Sequence, residues 1–467
     1  MRSIFLLMAG VFLLAHLAEA KPPVYVMLWF DTEDYIDTQS DDAALRIASD
    51  LTHLGVRATF KVTGEKARVL RSRGREDVIR ALSHHSIGYH TNFHSVQPAP
   101  AVYLEQFGVL DGAEEFIRRE RPGIEAIQRV FGVKPICYGQ PGSSWAPQVF
   151  AGLRQWGVPV YLDEGSQVGL REQPFWYGGV LNVFNMGQFM VRPNLEDGTK
   201  DEAVWKKFVE DVDKLSEKGG VISTYFHPTE FVNAKFWDAV NFSNGEVRPR
   251  EKWVAPPLYS REEAERHFRV LTRFVERAKE IPNVHFITAD DALHLYQSQM
   301  PVSLNKAEIA KHLREHITFI EAPKGDLSAA EAVAEVLGLP ADFVDGPTRA
   351  GRTTYSKPEI PRWLFDKGVA DVRDFIATEH RLPPEVFLGA DTLSLADFVA
   401  TFAEHMLTTP MTGDIRVVQG KLEFEQYVSS QDEKAFSWPI HPPGFKAPHV
   451  LEMGRLLAWT LKPARLK

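Results

Sequence analysis

From residue 24 to residue 295, short apolar runs alternate with stretches whose apolar positions recur every three or four residues. That alternation is the pattern of a parallel α/β sheet or barrel. Residues 24–30 are almost wholly apolar, as a strand buried on both faces requires, and end at Asp31. Residues 43–54 carry helical spacing and stop at Gly55, a residue type that readily takes the left-handed conformation closing a helix. Residues 56–62 read as a second strand, followed by Thr63-Gly64-Glu65-Lys66, and 113–131 as a helix leading into 135–138. Residues 221–226 read as a strand ending at His227-Pro228, and 285–288 as a last strand before a helix over 290–297. In such folds chemistry collects where parallel strands end and loops begin, which puts Asp31, Tyr138 and His227 at one end of the sheet.

The alternation stops at residues 298–303. Beyond them, helical spacing runs through 306–317, 328–337, 371–379 and 394–406, and a proline-rich stretch over 438–448 precedes a final helix at 451–461. The pattern divides the chain into an α/β domain over 21–298 and a mainly helical C-terminal region over 299–467. Within the latter, 382–386 and 393–398 read equally as plain helical packing or as segments that resemble a pseudomurein-binding repeat. Residues 1–20 read as a secretory signal peptide: Arg2, an apolar run over 4–17, and Ala18-Glu19-Ala20 before Lys21. The run is shorter than the roughly 20 residues of a membrane span, so no integral span is expected after cleavage.

Composition narrows the partners. At 467 residues with 44% hydrophobic side chains, the chain can bury a sizeable core. A net charge of -9 without a basic block argues against nucleic acid or an anionic membrane surface, and suits a neutral substrate or a cationic product. Cys137 is the only cysteine, so no intramolecular disulfide forms. An exported chain without disulfides fits a bacterial envelope, periplasmic or extracellular.

The candidate chemistry lies in Asp31, Glu33 and Asp34 together with His90 and His94. Three acids at the end of an apolar strand repel one another unless a cation compensates. An EF-hand-like loop is excluded, because Ile36 stands where that loop needs glycine. Two imidazoles spaced i,i+4 can meet one metal from one face of a helical turn, and a carboxylate completes the ligand set of an open divalent site. A further carboxylate beside it can accept a proton from metal-activated water. The pattern is that of a metal-dependent hydrolase.

At these residues the chain resembles the polysaccharide deacetylase family, carbohydrate esterase family 4. Ile87-Gly88-Tyr89-His90-Thr91-Asn92-Phe93-His94-Ser95 matches the family's histidine motif, and Ala58-Thr59-Phe60-Lys61-Val62-Thr63-Gly64 its second strand. Phe30-Asp31-Thr32-Glu33-Asp34-Tyr35 resembles an Asp-x-Glu-Asp form of its first motif, and Tyr225-Phe226-His227-Pro228-Thr229-Glu230 its last histidine motif. The resemblance implies a distorted (β/α) barrel. It implies Asp31 as catalytic base, and His90, His94 and Glu33 as metal ligands with Asp34 as the substitute for Glu33. It also implies His227 as general acid, Tyr138, Pro141 and Gly142 at the substrate and oxyanion end, and a divalent metal, zinc being the expected ion. One departure stands out. Tyr138-Gly139-Gln140-Pro141-Gly142 lacks the arginine that precedes proline and glycine in the family and orients the base. Without it Asp31 lacks a cationic partner, and Gly139→Arg is expected to supply one. Asp163 falls near the family's fourth motif, and Tyr138, Trp145 and Phe226 read as sugar-stacking or core aromatics.

Three functions follow: removal of acetyl groups from an N-acetylated glycan, hydrolysis of a cyclic amide such as allantoin, and glycan binding without catalysis, which the absent arginine motivates. A non-haem iron oxygenase shares the donor set but sits on a jelly roll rather than an α/β fold. Which glycan, and the oligomeric state, are left open by the sequence.

Overall fold

The computed structural model describes residues 21–196, 200–296, 305–323, 325–340, 343–408 and 413–467. The signal-peptide reading and the boundary at 298–303 lie outside these residues. Nine strands build the first part: β1 (Val24–Thr32), β2 (Thr59–Val62), β3 (Ser86–Tyr89), β4 (Cys137–Tyr138), β5 (Val160–Leu162), β6 (Phe175–Tyr177), β7 (Val180–Val183), β8 (Gly220–Phe226) and β9 (Val284–Ile287). β1 to β5 lie side by side and parallel, and β7 continues the parallel run beyond β5. β1 is the central element. It pairs with β8 on one side and on the other with β9 near its start and β2 near its end. Every residue of β1 except Tyr25 is buried, as its unbroken apolar run requires.

The sheet curls into the expected distorted barrel. A bridge between Met190 and Ser223, with Val191 N–H donating to Ser223 O at 2.9 Å, carries the chain after β7 to the outer edge of β8. Helices cover the outside, including Gln39–His53, Val109–Phe131 and Arg261–Lys279. The alanine and leucine stripe of Gln39–His53 faces the core, and Gly55 (φ +68°) turns the chain back toward β2. Among the described residues no helix is long and apolar enough to cross a membrane.

The C-terminal region is mainly helical, with helices Lys306–Glu315, Ala329–Val336, Arg362–Glu379, Leu395–Leu407 and Pro448–Leu457. Residues 382–398 differ from the helical expectation: Glu385–Leu388 and Asp391–Ser394 form a two-stranded hairpin, with Gly389 (φ +72°) in its turn, before the helix begins at Leu395. The region does not stand apart from the barrel. Its strand Lys462–Pro463 pairs antiparallel with β6 and so joins the main sheet. Tyr177 Oη donates to Gly454 O at 2.7 Å, and one continuous apolar core runs through both parts.

Candidate active site

The register of three neighbouring strands sets the site. Asp31 on β1 stands beside Lys61 on β2, which stands beside Gly88 on β3. Gly88 leaves the space the lysine needs, since a Cβ there would lie 2.9 Å from Lys61 Cγ and 2.4 Å from Cys137 Sγ. The lysine chain therefore runs beneath β3 and β4. Its Nζ reaches 2.9 Å from Asp31 Oδ1 and 2.5 Å from Asp163 Oδ2, fully buried. Burial opposes the charge on Lys61, but Asp163 and Asp31 together outweigh it and hold its pKa above the usual lysine value. Burial pushes the Asp163 carboxyl up to about 7 against the pull of Lys61.

This lysine overturns the expectation that Asp31 lacks a cationic partner. The cation comes from β2 rather than from the loop after β4. A Cβ on Gly139 would lie 2.0 Å from Lys61 Nζ and 2.3 Å from Asp163 Oδ2, so the glycine is what admits the lysine. Gly139→Arg therefore cannot add a second cation to this arrangement.

Past the ends of the strands, Glu33, His90 and His94 converge, all buried. His90 Nε2 is 2.9 Å and His94 Nε2 2.8 Å from Glu33 Oε2, while Glu33 Oε1 accepts from Trp237 Nε1 at 2.7 Å. The two histidines do not share a helical face. His90 directly follows β3, and His94 lies in an irregular turn where Thr91 (φ 63°) and His94 (φ 56°) are left-handed. Thr91 Oγ1 accepts from His94 N–H at 3.1 Å and holds the turn. Asp34 points elsewhere: its Oδ1 accepts from the amides of Ile36 and Asp37, and its Oδ2 from Thr229 Oγ1. Burial raises its carboxyl to about 6. Of the two carboxylates, Glu33 is the one that stands with His90 and His94.

The donor set fits a divalent cation. His90 Nδ1 lies 3.2 Å from Gly139 O, an acceptor only, which assigns the hydrogen to Nδ1 and leaves a lone pair on Nε2. His94 Nδ1 lies 2.6 Å from Ser95 Oγ, which itself donates to Asp238 Oδ2 at 3.3 Å, giving the same assignment. Two nitrogen lone pairs aimed at one carboxylate oxygen repel unless a cation lies between them. Burial lowers the pKa of His90, whereas at His94 burial is outweighed by the Glu33 carboxylate, which raises it, so Glu33 attracts positive charge to this point.

Asp31 Oδ2 lies 3.6 Å from His227 Nε2 at the end of β8. His227 Nδ1 is 3.2 Å from Glu230 Oε1, and Arg192 ion-pairs with Glu230. Burial opposes protonation of His227, but Glu230 outweighs it and raises the pKa to about 9. Burial likewise opposes the Glu230 charge, which His227 and Arg192 restore, bringing it down to about 2.

Asp31, Glu33, His90, His94, Gly142 and His227 all line one cleft of about 390 Å³. Tyr138, Pro141, Trp145 and Phe226 do not. Tyr138 is packed among Tyr89, Phe116 and Tyr161, and Trp145 and Phe226 are fully buried. The Gly139 amide is spent on Tyr89 O within the sheet. The aromatics that face the cleft are Tyr225, Phe236 and Trp438. Glu164 faces it too, with Oε2 buried and unpartnered; burial and Asp163 raise its carboxyl to about 7.

No family model matches the chain, and no curated protein matches it. Among solved structures it is similar to a family 4 acetyl xylan esterase from Clostridium thermocellum in complex with a cobalt ion, at 16% identity and TM-score 0.31, covering 58% of this chain and 91% of that one. A peptidoglycan N-acetylglucosamine deacetylase matches at 14% identity and TM-score 0.30, over 56% and 85%. An allantoinase matches at 13% identity and TM-score 0.39, over 60% and 92%.

Proposed function

We propose that this chain is an exported, metal-dependent deacetylase acting on an N-acetylated glycan. The observation that carries the reading is the convergence of Glu33, His90 and His94 in one cleft with Asp31 and His227. Glu33, His90 and His94 would hold a divalent ion, zinc by expectation, which would supply Lewis acidity and lower the pKa of water in the cleft.

The remaining work belongs to the side chains. Asp31, held by Lys61, takes the proton of the attacking water. His227, protonated at neutral pH through Glu230, gives a proton to the departing nitrogen, which leaves poorly as an anion. The absent arginine motivated the binding-only alternative; the contact of Lys61 with Asp31 gives the base a cationic partner all the same and supports catalysis over binding alone.

Metal analysis of the purified protein, coupled to acetate release from chitin-type and peptidoglycan-type substrates, tests the reading. One metal per chain and stoichiometric acetate are expected. A metal-loaded protein that releases none from any of them refutes it.

A further inference from the structure

One wall of the catalytic cleft comes from the C-terminal region. Lys434, Ala435, Ser437 and Trp438 line it alongside Asp31, His94 and His227. The segment is fixed to several barrel loops at once. Gln167 Nε2 donates to Ala435 O at 2.5 Å, and Trp438 N–H to Ser143 Oγ at 2.9 Å. Gln97 Nε2 donates to Ile440 O at 2.6 Å, and Asn244 N–H to Pro439 O at 2.7 Å. Four residues of the segment, Ala435, Trp438, Pro439 and Ile440, each tied to a different barrel loop, make a built wall rather than a passing coil.

Trp438 is the feature of this wall that needs explanation. It is 38% exposed although it lies in a cleft, and its one polar atom is already used, Nε1 donating to Asp238 Oδ2 at 2.9 Å. Phe236 meets it edge-on at 5.8 Å, which fixes the plane of the indole. Gly142 (φ +52°) passes so close that a Cβ would lie 2.3 Å from the ring. The indole is thus locked, its hydrogen-bonding is satisfied, and an apolar face stays open to solvent. Glu164 and Asn185 line the same cleft. An apolar face with polar groups beside it matches a pyranose ring, which is flat and C–H-lined on its faces and hydroxylated at its rim.

We propose that residues 434–438 form the sugar-binding wall of the active site, with the Trp438 indole as the stacking surface for a glycan ring. Trp438 is a specificity-determining residue outside the α/β barrel. Asp238 ties it through Ser95 to His94, so the wall and the metal ligand share one hydrogen-bonded support. The inference rests on the glycan reading above, and the experiment separates the two.

Full-length wild type and the variants Trp438→Ala, Trp438→Leu and Trp438→Phe are compared. Leucine keeps bulk over Gly142 without a ring face, and decides the matter if alanine impairs folding. Binding of a β-1,4-linked tetramer of N-acetylglucosamine is measured by calorimetry on metal-free protein, where no turnover occurs. Acetate release is measured on metal-loaded protein with the tetramer and with N-acetylglycinamide, which has no ring. Trp438→Ala and Trp438→Leu should weaken tetramer binding and raise its KM about tenfold, with kcat within about threefold. Trp438→Phe should bind the tetramer best of the three, and turnover of N-acetylglycinamide, which senses only the lost bond to Asp238, should be alike in all three variants. Unaltered tetramer binding in all variants, equal losses on both substrates, or no tetramer binding by wild type would each overturn the proposal. Trp438-dependent binding without acetate release would instead sink the deacetylase reading and leave the wall standing.

Discussion

Lys61 and Asp31 are register partners on adjacent parallel strands, and Lys61 Nζ lies 2.9 Å from Asp31 Oδ1. A lysine on β2 thereby gives the proposed base a cationic partner. Lys61→Met should leave Asp163 buried without its cation and Asp31 with only histidines beside it, costing about 3–5 kcal/mol, and lower kcat/KM on an acetylated glycan about 10²-fold or more. Adding Asp163→Asn should recover part of the stability but not the rate. Thermal unfolding and kinetics on the three proteins check this; an unchanged melting temperature in Lys61→Met would contradict the pairing.

Gly139→Arg alone should unfold or inactivate the protein, because its Cβ has no room beside Lys61 Nζ. Combined with Lys61→Ala, which clears that space, it should be tolerated better. Circular dichroism and activity of the single and double variants decide it, and a fully active single variant would refute the steric account.

His90→Ala with His94→Ala should abolish stoichiometric metal. Trp237→Phe removes the donor that orients Glu33 and should weaken metal binding by about 10- to 100-fold without abolishing it. Asp31→Asn should keep its metal and lose about 10²- to 10⁴-fold in turnover. Elemental analysis and competitive chelator titration separate the three cases. Loss of metal in Asp31→Asn would make Asp31 a ligand.

Glu230→Gln should move the alkaline limb of amide hydrolysis to lower pH. Glu230 holds the His227 pKa at about 9, so the acid form of His227 persists across the neutral range and is lost as pH rises through that value. Without the carboxylate, that loss occurs closer to the ordinary histidine value. An activated ester, whose leaving group needs no proton, should show little of the shift. The stability that Glu230 adds is present above the ordinary value of 4.5 and disappears as pH falls toward about 2. Rate profiles on both substrates test the catalytic part, and a limb that stays fixed in Glu230→Gln would exclude His227 from it.

Much of this was legible in the sequence because it rests on short-range pattern. The apolar run of β1, the helix stop at Gly55 and the strand ending at His227 each announce themselves within a dozen residues. Glu33, His90 and His94 were readable from chemistry and resemblance, but the choice against Asp34 was not. It depends on Asp34 being spent on Ile36, Asp37 and Thr229, a contact nearly two hundred residues away. The i,i+4 spacing of His90 and His94 suggested a helix, where the left-handed Thr91 and His94 make a turn instead. Lys61 was hidden for a related reason. Strand register sets it beside Asp31, and the two glycines that admit it, Gly88 and Gly139, look ordinary in one dimension. A charged residue inside an otherwise apolar strand is the signal that could have found it. Trp438 gave no local sign at all, since its neighbours Gly142, Phe236 and Asp238 are all distant in the chain.

The pairing of Lys462 with Trp176 carries a kinetic consequence. Nearly three hundred residues separate these partners, so the sheet gains its outer strand only after a very long loop has closed. Gly178 N–H donating to Thr460 Oγ1, and Tyr177 Oη to Gly454 O, are decided in the same late step. Until then the flank of β6 presents unpaired backbone, the state in which a chain is most open to edge-to-edge association. Deleting the C-terminal region would not leave an autonomous barrel. It would reopen that edge and strip the cleft of Trp438 together.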